Sequence, residues 1–147
     1  MKILQIAKQI TINAPAEKVW TALFDNHLNT AWLGCFSEGC YAETDWQLGS
    51  KVIFGDKDGN GIVGKITTRN YLKQLAITFN GFISNNQEDT KSEMAKLYNG
   101  AGESYTFTAS ENSTILAISS DMGADYYEQM LAAWDEALAK IKSIAEA

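Results

Sequence analysis

The chain has 147 residues, of which 46% are hydrophobic and 20% are charged. This balance is typical of a globular protein rather than a disordered one. Acidic residues number 18 and basic residues 12, so the formal charge is −6. Because nucleic acids and anionic lipid surfaces select for clustered Lys and Arg, the composition argues against both as partners. One domain usually spans ~100–200 residues, so we expect a single domain over residues 1–147.

The sequence offers no obvious targeting, disulfide or metal pattern. The first ten residues, MKILQIAKQI, are too polar for a signal peptide, and no ~20-residue apolar run follows. Cys35 and Cys40 are too few for a disulfide scaffold, and no second Cys/His pair completes a zinc site. We therefore expect a cytoplasmic protein with reduced thiols, without membrane insertion, bound metal or other cofactor.

The N-terminal segment predicts one strand followed by two short helices. Apolar and polar residues alternate over residues 3–13, which indicates a strand with one buried face. Lys8 falls on the apolar side, which suggests a strand end, a bulge or an open cavity mouth. Pro15 suits the first turn of a helix over residues 15–24, because its missing N–H is not needed there. A second helix is predicted over residues 26–33.

The middle of the chain predicts a series of strands separated by turns rich in Gly, Asn and Asp. One polar stretch, residues 84–102, interrupts the alternation and ends in glycines. It is expected to form a mobile loop or a lid, with one or two helical turns between Asp89 and Asn99. The predicted strands cover residues 36–46, 50–56, 61–69, 72–82, 103–110 and 113–120.

The C-terminal segment predicts a long helix over residues 123–145. Its apolar residues step by four, three, four and three, which produces a wide stripe of the kind that packs against a sheet. Consecutive strands with helices outside them indicate an α+β fold with an antiparallel sheet. A strongly curved sheet could wrap this helix and leave a space between the two.

This order of elements, together with several short sequence segments, resembles the START-like (SRPBCC) helix-grip superfamily, and more narrowly its Hsp90 ATPase activator-like branch. The resemblance implies an antiparallel sheet of about seven strands, curved around the C-terminal helix, with two short helices after strand 1. It is carried by ITINAPAEKVWTAL at 10–23, Trp32, Leu48-Gly49, DGNGIVGKI at 58–66, the strand at 72–79, YTFT and TILAIS within 105–119, and MLAAWDEALAKIKSIAE at 130–146.

The resemblance implies three classes of function. Members of the superfamily bind lipids, sterols, polyketides or plant hormones in a central cavity, and a few catalyse cyclisation or dehydration there. Eukaryotic activators use this domain to contact Hsp90, beside a second domain for which 147 residues leave no room. We therefore expect a domain that binds a small apolar or amphipathic molecule. The alternatives are a chaperone-related stress-response adaptor and a cyclase- or dehydratase-type enzyme.

Large apolar side chains are the most informative candidates for a binding site. They occur in segments expected to face one interior, where some would fill the core and several would line a ligand cavity. Tyr105, Tyr127 or Lys8 would supply the few polar contacts. The cavity candidates are Trp20, Trp32, Trp46, Phe54, Phe79, Tyr105, Phe107, Tyr127, Met130 and Trp134.

Two metal-like patterns have simpler interpretations. DKDGNG, residues 56–61, matches the start of an EF-hand calcium loop. The twelfth loop position is Thr67 rather than Glu, and the flanks alternate as strands, so we expect a hairpin turn. His27, the only histidine, is expected to be exposed or to cap a helix. A zinc site formed with Cys35 and Cys40 stays conceivable but lacks an assigned fourth ligand.

No catalytic residue can be assigned from the sequence. A pair of acids facing the cavity could act as acid and base. Edge and outward positions explain the acids in the first half of the sheet more simply, and no other inward ionisable group is obvious. These acids are Glu38, Glu43, Asp45, Asp56 and Asp58.

Overall fold

The structure is a computed structural model that describes residues 2–147. These residues form eight strands and four helices, and a short 3-10 turn at Ala124–Tyr126 leads into the last helix. In chain order they are β1 (Ile3–Ile12), α1 (Ala16–Phe24), α2 (Thr30–Leu33), β2 (Tyr41–Glu43), β3 (Lys51–Gly55), β4 (Gly61–Asn70), β5 (Gln74–Ser84), β6 (Gln87–Asp89), α3 (Glu93–Tyr98), β7 (Gly102–Ser110), β8 (Ser113–Gly123) and α4 (Tyr127–Glu146).

The strands form one antiparallel sheet. Seven of them lie in the order β1-β8-β7-β5-β4-β3-β2, and the short β6 pairs with the end of β5. All neighbouring strands are antiparallel, hairpins connect most of them, and β1 lies at one edge of the sheet, where it pairs with β8. The predicted α+β class, with a curled sheet around the C-terminal helix, is confirmed.

The sheet curves because β4 is irregular. The β4–β5 register shifts between Val63 and Gly64 and again between Ile66 and Thr68, and such bulges bend a strand and increase its twist. A Cβ atom at Gly64 would lie 2.5 Å from the carbonyl oxygen of Thr78. Glycine is therefore required where β4 approaches β5 most closely.

Helix α4 lies against the concave side of this sheet. Its apolar stripe packs in the same core as the inward residues of the strands, as the periodicity predicted. The small side chains of Ala137 and Ala145 let the helix approach closely, and both are almost fully buried. The buried stripe of α4 comprises Ala133, Trp134, Ala137, Leu138, Ile141 and Ala145.

Lys8 marks the place where β1 meets α4. Its ammonium group donates to the carboxylate of Asp135 at 2.6 Å, which explains a cation on the buried face of the strand. The Asp135 side chain keeps 69% of its surface exposed, so the pair stabilises the protein only slightly.

The predicted strand over residues 36–46 is wrong for its first half. Successive turns follow α2, with Cys35 donating to Trp32, Phe36 to Leu33 and Cys40 to Ser37 through the backbone. Gly39 adopts a φ of 74°, which a regular strand does not allow. Only β2 is a strand. The apolar side chains of the rest of this segment face inward from a loop rather than from a strand.

The predicted helix over residues 26–33 is too long. Asp25 accepts the backbone N–H of His27 at 2.8 Å, and such a local side-chain bond competes with helix formation. Regular helix is therefore confined to α2. His27 is exposed, as expected.

The other segments follow the sequence with small shifts. The 3-10 turn delays the start of the C-terminal helix from residue 123 to Tyr127. Residues 56–60 connect β3 and β4 as a hairpin, in which Asp56 accepts the N–H groups of Asp58 and Asn60. The interrupting stretch contains β6 and α3, the latter capped by Ser92, which accepts the N–H of Ala95 at 3.1 Å.

We predict that Trp134→Ala lowers the free energy of unfolding by about 3–5 kcal/mol, because removing a large buried aromatic group leaves a void. Trp134 is 1% exposed, and its ring centroid lies 4.8 Å from Phe36 and 6.2 Å from Trp32. Urea unfolding followed by circular dichroism measures the change. Gln129→Ala, an exposed position on the same helix, is the control, and an equal loss in both variants would contradict the prediction.

Candidate functional site

A cavity of about 610 Å³ opens between the sheet and the start of α4. Its walls come from the concave face of β3, β4, β5, β7 and β8, closed by α2, α3 and α4. Most of the wall is apolar, and the polar groups are few. The apolar side chains that line it are Trp32, Leu33, Phe36, Phe54, Ile62, Phe79, Phe82, Ile83, Met94, Met122, Met130 and Trp134.

The opposite end of the interior is filled by aromatic rings. Phe24 on α1 lies at the centre, with ring centroids 4.7 Å from Trp20, 4.8 Å from Trp46 and 5.3 Å from Tyr105. Phe107 packs against Trp20 at 5.3 Å. This cluster occupies the space between α1 and the sheet, so the empty volume is confined to the other half of the interior.

The structure therefore divides the ten candidate residues into two groups. Trp32, Phe54, Phe79, Met130 and Trp134 line the cavity. The other five pack in the core outside the cavity wall, four of them in the filled half and Tyr127 at the start of α4, and Lys8, another candidate polar contact, is paired with Asp135. The five outside the cavity wall are Trp20, Trp46, Tyr105, Phe107 and Tyr127.

One of the carboxyl groups on the cavity wall lies on a central strand of the sheet, and the sequence analysis missed it. Glu103 on β7 lines the cavity, and its Oε1 accepts the hydroxyl of Ser120 on β8 at 3.2 Å. Its Oε2 accepts the hydroxyl of Tyr105, which reaches it from the filled half of the interior. Tyr105 thus contributes to the cavity through its hydrogen bond to Glu103, although its ring is core.

Burial raises the pKa of Glu103 above its ordinary value of 4.5, and the hydrogen bonds from Tyr105 and Ser120 offset part of that rise. The pKa of Tyr105 is raised well above its usual value by burial and by the neighbouring carboxylate. The pair therefore holds one proton more tightly than separate, solvated side chains would. A carboxyl group with a raised pKa that faces a cavity is a candidate proton donor or acceptor.

A parity argument could have found Glu103 and Ser120. Tyr105 and Phe107 lie on the inward face of β7, so Glu103, two residues earlier, shares that face. Leu116 and Ile118 place Ser120 inward on β8 in the same way, and the register pairs Glu103 directly with Ser120. The signal that was overlooked is Glu103, a polar residue on the otherwise apolar inward face of β7.

The remaining polar groups stand around the cavity wall. Cys40 is half buried, and its pKa is raised to about 11 by burial first and then by Glu103 and Asp56, so its thiol stays protonated at neutral pH. Tyr98 on α3 accepts the backbone N–H of Gly123 at 2.5 Å. This bond fixes the insertion between β5 and β7 over one side of the cavity.

Among residues 2–147, the charged side chains that line the cavity are all acidic: Asp56, Glu103 and Asp121. Of the five acids that the sequence offered as candidates, only Asp56 lies on its wall. Within the same residues no three His, Cys, Asp or Glu side chains converge on a possible metal position. Nor does the described part of the chain contain a helix long and apolar enough to cross a membrane.

A curved antiparallel sheet that holds a C-terminal helix, with a cavity between them, defines a helix-grip domain of the START-like (SRPBCC) kind. The family model described as "Activator of Hsp90 ATPase homolog 1-like protein" matches residues 13–146. The chain belongs to this family. No curated protein sequence matches it.

Solved structures share the fold at low sequence identity. Protein MLL2253 from Mesorhizobium loti has a TM-score of 0.73 at 17% identity and covers 96% of both chains. The Aha1 dimer from Colwellia psychrerythraea has a TM-score of 0.72 at 19% identity, covering 97% of this chain and 96% of that one. CalU16 from Micromonospora echinospora has a TM-score of 0.66 at 15% identity, covering 96% and 75%.

We predict that Glu103→Gln changes the pH dependence of stability. Because burial raises the pKa of Glu103, the folded protein binds more protons than the unfolded chain just above pH 4.5. The stability of the wild type should therefore fall relative to the variant as the pH rises from that value through the raised pKa. Chemical unfolding between about pH 4 and pH 8 measures the difference.

The contributions of the other acids to the pH dependence of stability cancel in this comparison because both proteins contain them. Glu111→Gln, at an exposed position on the turn between β7 and β8, controls for the loss of one negative charge. A stability difference between wild type and Glu103→Gln that stayed constant over the whole range would contradict the prediction.

Proposed function

We propose that this protein binds a small apolar or amphipathic molecule in the cavity between its sheet and α4. The observation that carries the proposal is a largely apolar space of about 610 Å³ with the hydrogen-bonded carboxyl group of Glu103 on its wall. Sites for drug-sized ligands usually measure ~300–1,000 Å³ and combine apolar walls with a few placed polar groups.

The walls favour a ligand with a flat or flexible apolar body. Phe54 and Phe79 lie with ring centroids 6.4 Å apart, and Trp134 adds an aromatic ring to the wall from α4. Met130 and Met94 add flexible side chains that can adjust to the shape of a bound molecule. Burial of such a body stabilises the complex through the hydrophobic effect.

Glu103 and Ser120 supply the polar contact that would orient the ligand. Both lie on neighbouring strands within the regular part of the sheet, so their positions are set by the β7–β8 register. A polar group placed on rigid strands fixes orientation better than one on a loop. We expect the ligand to meet the protein in the cytoplasm, where Cys35 and Cys40 would remain reduced.

The family description suggests a chaperone-contacting role as the alternative. It would be favoured by an apolar helix stripe left uncovered. The stripe of α4 is buried instead, and the large exposed apolar side chains, such as Leu48 and Tyr71, come from different connections between strands. The cavity therefore supports ligand binding more directly.

An enzyme of the cyclase or dehydratase type is a second candidate, favoured by Glu103 itself. Catalysis in the cavity needs an ionisable group with a shifted pKa that faces the substrate. Glu103 has the required position and a raised pKa. It would act as a general acid or base toward a carbonyl compound bound beside it.

We predict that a bound ligand raises the melting temperature of the wild type and that Ile62→Trp prevents this. Ile62 lines the cavity from β4, so a larger side chain there would occupy the ligand's space. At 100 times its dissociation constant, a ligand should add about 2.7 kcal/mol to stability. A thermal-shift screen with lipids, sterols and aromatic compounds, followed by native mass spectrometry, measures binding.

Ile53→Trp is the matched control. Ile53 lies on the partner strand β3, half buried, and does not line the cavity. It should retain binding while Ile62→Trp weakens it at least about tenfold. A complete screen without a single stabilising compound, or equal binding by both variants, would count against the cavity as the binding site.

The catalytic candidate has its own test. Carbonyl compounds found in the screen are incubated with the protein in D₂O, and mass spectrometry measures deuterium incorporated next to the carbonyl group. Catalysis predicts incorporation that Glu103→Gln reduces at least about a hundredfold, since general acid–base catalysis contributes about 10²–10⁴-fold. Incorporation no faster than in buffer would leave binding as the function.

A further inference from the structure

The cavity wall carries negative charge without a matching cation. Asp56, Glu103 and Asp121 are its charged side chains, and no Lys or Arg among residues 2–147 lines it. Glu103 receives hydroxyl hydrogen bonds from Tyr105 and Ser120, but no ion pair. A half-buried carboxylate that faces an apolar space without a cationic partner is costly, because hydroxyl groups replace only part of its hydration.

The nearby basic residues are engaged elsewhere. Lys57 follows Asp56 in the chain, but its ammonium group donates to Glu38 at 2.8 Å, outside the cavity wall. Arg69 packs over the ring of Trp20 and donates to the carbonyl oxygen of Trp46 in the filled half of the interior. A positive charge beside Glu103 would therefore have to come with a ligand.

Aromatic rings complete a site that suits a cation. Trp134, Phe54 and Phe79 line the cavity together with Glu103, and the faces of such rings attract cations. An ammonium group beside Glu103 would meet no cation on the cavity wall, whereas a carboxylate ligand would find only acidic charged side chains there and no cation to pair with. The apolar remainder of the ligand would lie among the rings.

From this arrangement we propose, building on the proposed function, that the cavity selects amphipathic amines, with a protonated amino group bound to the Glu103 carboxylate and an apolar body among the aromatic rings. Tyr105 and Ser120 keep donating to the carboxylate and hold it toward the ligand. Binding ionises Glu103 where it was protonated, so one proton leaves the carboxyl group for the solvent.

The ionisable groups around Glu103 do not supply a competing cation. Its own strand presents Tyr105, β8 presents Asp121, and α3 presents Tyr98. The segment before β2 presents Cys40, and the β3–β4 turn presents Asp56. Helix α4 presents only Met130, Trp134 and the adjoining Tyr126 to the cavity.

A series of probes that differ only in their polar group tests the proposal. The probes are 2-naphthylethylamine, 2-naphthylethanol and 2-naphthylacetate, and isothermal titration calorimetry measures each affinity near neutral pH. We expect the amine to bind at least about tenfold more tightly than the alcohol, and the carboxylate to bind most weakly. Equal affinity for amine and alcohol, or preference for the carboxylate, would overturn the proposal.

Glu103→Gln and Glu111→Gln form a matched pair of variants. Both remove one negative charge, but only the first removes it from the cavity. Glu103→Gln should lose about tenfold or more in affinity for the amine and stay within about twofold for the alcohol. Glu111→Gln should bind both probes as the wild type does. An equal loss in both variants would refute a role for Glu103.

A measurement on the wild type alone guards against misfolding of the variant. Because Glu103 has a raised pKa, the amine should bind more tightly as the pH rises through that pKa, as long as the amine itself stays protonated. Titrations below that pKa, in buffers of different ionisation enthalpy, should show proton release with the amine and none with the alcohol. Absence of proton release together with pH-independent affinity would overturn the ion pair.

The outcomes separate this inference from the proposed function. If no probe binds but other compounds stabilise the wild type and not Ile62→Trp, the preference for amines is wrong and the cavity remains a binding site. If neither the probes nor any screened compound binds, both proposals fail.

Discussion

The incomplete filling of the space between a curved sheet and one helix is the constraint on which the rest of the structure depends. Helix α4 packs closely against the strands because its buried stripe includes alanines such as Ala137 and Ala145. A single helix cannot cover the whole concave surface, so another element must close each end. Helix α1 closes one end with Phe24 and its ring contacts, while the short α2 and α3 only border the other. The cavity is the unfilled remainder.

The enclosed carboxyl group of Glu103 gives this remainder its chemistry. A fold selected for stability alone would place an apolar residue at position 103, because removing an acid from water costs free energy. Two hydroxyl groups, from Tyr105 and Ser120, reduce that cost without removing it. The carboxyl group therefore keeps a capacity to bind or to exchange a proton, and its place on regular strands holds that capacity in a fixed position relative to the aromatic wall.

Strong periodicity made most of the fold predictable. The alternation of β1 and the stripe of α4 are long, and each matches one structure only. The strand predicted after α2 was wrong in its first half because Phe36 and Cys40 have strand-like composition but face the cavity from successive turns. The aromatic candidates show a different limit. Trp20 and Trp32 lie on neighbouring short helices with similar patterns, and only packing against Phe24 or Trp134 decides which one borders empty space.

The reasoning that predicted the fold also overlooked Glu103, the residue that distinguishes the site. A search for apolar alternation assigns the inward face of β7 from Tyr105 and Phe107 and passes over Glu103 as the polar beginning of the strand. Such an exception to an inward apolar face is expected where function opposes stability. The residue opposite it in the register supports this interpretation, since Ser120 is likewise a polar residue on the inward face of β8, between Ile118 and Met122. Two exceptions that meet across one strand pair indicate a site more strongly than either does alone.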